Sequence, residues 1–211
     1  IVAAMQRSGS NLLIRELLLA GAGMPGEYFS HLPKLDARTL SDERYWNFLL
    51  SKRSVNGVFG MKLHKSNYDE LTQAQQQRVF ASSRVIFTRR RSLALQALSY
   101  EKAETTGIWD PRWQPDLATP GADYTNLKLL IRRAHEIVAD ENFWMGVFAF
   151  HGIQPLTVFL EDYLLERERT LARVFDFLGI RAAVPEAEPA PVGKLLATFE
   201  ERELLLKLEA S

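Results

Sequence analysis

Apolar residues come in short runs separated by longer amphipathic stretches. "IVAAM" opens the chain, then the polar turn "QRSGSN", then leucines at helical spacing. The pattern predicts a strand over 2–5 and a helix over 12–20, with Leu13, Leu17 and Ala20 on one stripe. "GAGMPGEYF" stops that helix with three glycines and a proline. A helix over 41–52 follows, with Tyr45, Phe48 and Leu49 on its inner face. The same reading gives strands over 57–63, 84–89 and 156–161, and helices over 67–77, 92–103, 124–150 and 165–178, the last closed by Gly179. A terminal helix is expected over 194–208.

Strands that alternate with helices, and that are apolar throughout, predict a parallel sheet covered on both faces. The expected fold is therefore α/β, with helices on both faces of about four to five strands, as one domain over 1–211. Long breaks at about 21–36 and 107–123 read as binding loops, the second carrying Trp109 and Trp113.

Charge narrows the partners. Lys plus Arg and Asp plus Glu number 26 each, so no general nucleic-acid or anionic-membrane surface is expected, and any anion site must be local. With no cysteine, thiolate metal sites and cysteine nucleophiles are excluded. No transmembrane run is present, and a cytoplasmic location is the default expectation. His135 and His151 have no metal-ligand spacing, so no metal site is expected.

Two stretches carry candidate chemistry. In "QRSGSN" a strand turns into a helix N-terminus, where free N–H groups and the macrodipole favour an anion. Gly9 allows close approach, Ser8 and Ser10 add hydroxyls, and Arg7 adds a charge. The alternative is a plain turn in which Ser8 or Ser10 caps the helix. In "RRRSLALQALSY" arginines end a strand, and Ser99 lies nine positions after Arg90 on the next helix. Their planar donors suit phosphate oxygens; the alternative pairs them with Glu101 and Glu104. Both stretches lie at the carboxyl edge of a parallel sheet, where one ligand with two separated anionic groups would engage both.

The ordered set "QRSGSNLL", "GMPGEYF", "GVFGMKLH", "RRRSLALQALSY" and "TGIW" resembles the trehalose 2-sulfotransferase family of bacterial carbohydrate sulfotransferases. The resemblance covers the first half of the chain and loosens through "LTVFLEDY" and "FLGI". It implies a P-loop-like three-layer sandwich, 3′-phosphoadenosine-5′-phosphosulfate (PAPS) as co-substrate, no metal, a carbohydrate or glycolipid-like acceptor, and a homodimer. By that resemblance Arg7, Ser8, Gly9, Ser10 and Asn11 surround the 5′-phosphosulfate, Arg7 also serving catalysis. Arg90 and Ser99 bind the 3′-phosphate, with Arg91 as the alternative arginine, and Glu27 matches the family's general base.

Glu27, Tyr28, His31, Lys62, His64 and Trp109 are the acceptor-side candidates, with His31 a rival base and Lys62 able to neutralise charge on the transferred group. Three departures stand out: Asn11 replaces a threonine, Ser92 replaces an acid, and the final segment lacks the family's basic and aromatic motif. The alternatives are a small-molecule kinase or other P-loop-type nucleotide enzyme, and a catalytically inactive nucleotide- or partner-binding member. A kinase loop would end in Gly-Lys-Ser/Thr, which is missing here.

Overall fold

The computed structural model describes residues 1–29, 43–109 and 125–186. Its strands are β1 (Val2–Ala4), β2 (Lys62–Leu63), β3 (Ile86–Arg89) and β4 (Leu156–Phe159). Its helices are α1 (Ser10–Leu19), α2 (Glu43–Arg53), α3 (Lys65–Asp69), α4 (Gln73–Phe80), α5 (Leu93–Thr106), α6 (Leu127–His151), α7 (Leu160–Leu165) and α8 (Arg167–Leu178). These residues group into two compact units, Ile1–Arg91 with Asn142–Pro185, and a second built on Ser92–Glu141.

In the first unit the strands form one all-parallel sheet in the order β2-β1-β3-β4. Successive residues of a strand face opposite sides, and β3 shows the consequence. Ile86 joins Val2, Val158, Leu13 and Leu17 of α1 and Leu171, Val174 and Phe175 of α8 in one buried cluster. Phe87 instead meets Phe148 of α6, with ring centroids 5.2 Å apart. Next to it, buried Trp144 donates its indole N–H to Ala4 O at 3.4 Å. Helices therefore cover both faces, the three-layer α/β arrangement expected.

The chain leaves β1 toward one face through α1 and returns to β4 from the other through the last turns of α6. Such a divergence opens a crevice outside the carboxyl ends of the strands. Helix α1 is fixed there by buried Glu16, which accepts from Arg167 Nε at 2.8 Å and Nη2 at 2.6 Å, and from the Tyr163 hydroxyl. Burial and the adjacent Glu16 push Tyr163 up to about 12.

Several elements differ from the sequence pattern. Only Lys62–Leu63 of the expected strand over 57–63 joins the sheet, because Val55 and Val58 bridge to each other instead. The polar helix over 67–77 is two helices: Thr72 and Gln75 form a capping box that restarts the chain as α4. On α2 the inward residues are Trp46 and Leu49, while Phe48 is half exposed. The terminal helix over 194–208 lies outside the described residues.

In the second unit, α5 starts at Ser92, whose hydroxyl accepts from Leu95 N at 3.2 Å, and stops at Gly107 in the left-handed conformation. Arg133 of α6 is held by Glu101 at 2.7 Å, Glu136 at 2.8 Å and Glu104 at 3.1 Å, with its guanidinium over the Tyr100 ring.

Candidate active site

All four strands point the same way, so the residues that follow them share one edge: the turn after β1, His64 after β2, Arg90 and Arg91 after β3, and Leu160 to Asp162 after β4. In the turn, Arg7 and Gly9 both have positive φ, 60° and 89°. For Arg7 this is a strained conformation of a kind that collects at functional sites. A Cβ on residue 9 would meet Leu160 Cδ1 at 2.7 Å, so both backbone angle and space favour glycine there.

Among the described residues no side chain caps α1. Ser8, which would cap a plain turn, is 1% exposed, with its hydroxyl 2.8 Å from Thr88 Oγ1 on β3. Leu12 N and Leu13 N close on Gly9 O at 3.0 and 3.4 Å, and the positive end of the helix dipole lies at this turn. Ser10 is buried at the first helical position and Asn11 is exposed at the second.

Glu27 comes to this edge through backbone pairing. Gly26 O accepts from Lys62 N at 2.9 Å, and Pro25 packs against Gly60, where a Cβ would come within 2.9 Å of it. "GMPGEYF" therefore runs beside "GVFGMKLH", and Tyr28 stacks on Phe59 at 5.9 Å. Lys62, 5% exposed, donates from Nζ to Glu27 Oε1 at 2.5 Å and to Asn11 Oδ1 at 2.9 Å. His64 Nε2 lies 3.6 Å from the same Glu27 oxygen, within ion-pair reach but too far for a good hydrogen bond. The His64 imidazole and the Lys62 ammonium, acting against burial, hold Glu27 down at about 2. The other ring nitrogen of His64, Nδ1, is buried with no hydrogen-bond partner among the described residues.

The arginines divide. Arg91 donates from Nε and Nη2 to Asp162, its backbone N–H donates to Glu161 Oε2 at 3.0 Å, and its guanidinium lies 4.2 Å from the Phe159 ring centre. The Arg90 side chain is 6% exposed, with Nε 3.7 Å from Glu161 Oε1. Their acids are thus Glu161 and Asp162; Glu101 and Glu104 belong to Arg133.

The model of the family described as Stf0 sulphotransferase matches residues 1–204. The chain belongs to the Stf0 sulphotransferase family. It is a sulfotransferase enzyme, similar to the trehalose 2-sulfotransferase of Mycobacterium tuberculosis (strain ATCC 35801 / TMC 107 / Erdman). The two are 25% identical over 237 aligned positions, covering 91% of this chain and 87% of the relative. The family match reaches well beyond the first half of the chain, where the five motifs lie.

In this Stf0 sulphotransferase, Asn11, Glu27, Lys62 and His64 meet in one cluster beside the turn that carries Arg7, Gly9 and Ser10. Ser99, 8% exposed on α5, and Trp109, which meets the Tyr100 ring at 5.9 Å, belong to the second unit. His31 and Trp113 lie outside the described residues. Thr88, Leu160, Glu161 and Asp162 escape a reading of the sequence. Their one visible signal is "LED" directly after the strand "LTVF", opposite a strand that ends in arginines.

Proposed function

We propose that this Stf0 sulphotransferase moves the sulfuryl group of PAPS to a hydroxyl of a carbohydrate or glycolipid-like acceptor. The observation that carries the reading is the uncapped N-terminus of α1, with Gly9 against Leu160, directly beside the Glu27–Lys62–His64 cluster. An anion-binding helix end next to a carboxylate suits transfer of an anionic group from a nucleotide to a neutral hydroxyl. The residues fit the donor: the turn offers N–H groups and the Arg7 charge, and the sequence lacks the lysine ending of a triphosphate loop.

Glu27 receives the acceptor hydroxyl proton as the acceptor oxygen bonds to sulfur. The bond from sulfur to the 5′-phosphate oxygen breaks, its electron pair staying on that oxygen, and 3′-phosphoadenosine-5′-phosphate is the nucleotide product. Lys62 and the α1 N–H groups offset the charge of the moving group, a role in which positioned dipoles contribute most. Arg90 is assigned to the 3′-phosphate ahead of Arg91, which is committed to Asp162. The Ser8 hydroxyl, 2.8 Å from Thr88 Oγ1, ties the donor-binding turn to β3.

Calorimetry with 3′-phosphoadenosine-5′-phosphate and, separately, ATP with Mg²⁺ tests the reading. The bisphosphate is expected to bind more tightly, and a preference for ATP would overturn it.

A further inference from the structure

Lys62 is a buried ammonium with two anchors of different kind, one on the anion-binding turn and one on the base. An ammonium has three N–H donors. Asn11 Oδ1 and Glu27 Oε1 take two of them, and the third has no partner among the described residues. At 5% exposure it has little access to bulk water. A buried charge of this kind needs an anion at all times, because leaving it uncompensated is strongly unfavourable.

Glu27 presents the opposite problem. Its Oε1 faces both Lys62 and His64, and these two groups hold its proton affinity down. A carboxylate held so firmly is ionised at every working pH but is a poor proton acceptor. His64 is the first of these holds and Lys62 the second, so Glu27 gains strength as a base when Lys62 lets go, with His64 still in place. The Asn11 anchor prepares that release: it places the ammonium against the second residue of α1, within the turn that faces the incoming anion.

We infer that the Lys62 ammonium is shared out from Glu27 to the donor anion, so that Glu27 is a stronger base once the donor is seated. The inference rests on the donor-binding reading of the turn. Its consequence is a preferred order, donor before proton transfer. Asn11, the departure from the family's threonine, is what keeps the ammonium within reach of both anions.

The competition has a measurable sign. If Glu27 and the donor share Lys62, removing the Glu27 charge frees Lys62 for the nucleotide. The test is a calorimetric double-mutant cycle with 3′-phosphoadenosine-5′-phosphate on the full chain at neutral pH. Glu27→Gln is expected to tighten binding at least about threefold, and that gain is expected to vanish in a Lys62→Met background. An equal gain in both backgrounds would mean simple repulsion through space and would overturn the inference. So would unchanged or weaker binding in Glu27→Gln. Lys62→Gln replaces Lys62→Met if circular dichroism shows the latter unfolded. Absence of any binding heat in the parent chain overturns the donor reading itself, a result distinct from binding without coupling.

Discussion

Arg91 grips Asp162 with two guanidinium nitrogens, Nε at 3.2 Å and Nη2 at 2.7 Å, and so is fastened to the strand–helix junction after β4. Its neighbour Arg90 is the more buried of the two and sits at longer range from Glu161. On the proposed reading, Arg91 is the strut and Arg90 the arginine that takes the 3′-phosphate. Arg90→Ala is expected to weaken 3′-phosphoadenosine-5′-phosphate binding roughly tenfold or more, the loss of a charge-assisted contact, while barely changing adenosine 5′-phosphate. Arg91→Ala should alter both nucleotides alike and cost at most about 1 kcal/mol of stability, as exposed pairs do. Equal losses for the two nucleotides in Arg90→Ala would remove the assignment.

Gly9 and Gly146 separate backbone strain from helix propensity. Gly9→Ala forces a Cβ onto a φ of 89° and toward Leu160, at a cost of about 1–2 kcal/mol for the angle alone, and should also weaken nucleotide binding. Gly146 lies inside α6, where an added Cβ would meet nothing within 4 Å, and Gly146→Ala should add about 0.5–1 kcal/mol. Urea titrations of both variants check the opposite signs.

Glu27 carries a pH signature. Its folded-state value, about 2, lies below the ordinary 4.5. The ion-paired cluster therefore adds stability that is complete above about pH 4.5 and is lost as pH falls toward 2. Glu27→Gln should melt earlier than the parent at neutral pH, and the two melting temperatures should converge on acidification across that window. A gap that stays constant down to pH 2 would show that the Lys62 and His64 contacts do not hold the carboxyl down.

Arg133 tests the second unit. Replacing it with methionine leaves Glu101, whose side chain is 6% exposed, as a buried carboxylate without its cation. Arg133→Met is expected to cost about 3–5 kcal/mol, and adding Glu101→Gln should recover part of it. A full-size loss in the double variant would place the cost in packing over Tyr100 rather than in charge.

The layered fold is legible in the sequence because buried parallel strands are rich in apolar and β-branched residues, as Val2–Ala4, Ile86–Phe87 and the Leu156–Phe159 strand are. Boundaries governed by side-chain bonds are not. Thr72 and Gln75 divide a uniformly polar stretch that hydrophobic spacing cannot divide, and Leu160 starts a helix inside what reads as a strand's end. The Gly/Ser turn after β1 is visible as a local motif, yet the contact of Ser8 with Thr88 is not, because Thr88 is 80 residues away in sequence. Lys62 and Glu27 each stand in a recognisable motif, but their union is hidden. It depends on "GMPGEYF" lying along β2, which follows from Gly26 O meeting Lys62 N.

β4 passes into α7 with no residue between Phe159 and Leu160. One seam thus supplies the side chain that seats Gly9 and both acids that face the arginines. A single added residue would swing all three by about 100° around the helix. The seam acts as a fixed gauge for the crevice, and an engineer who wishes to change the acceptor should vary other loops and leave its length alone.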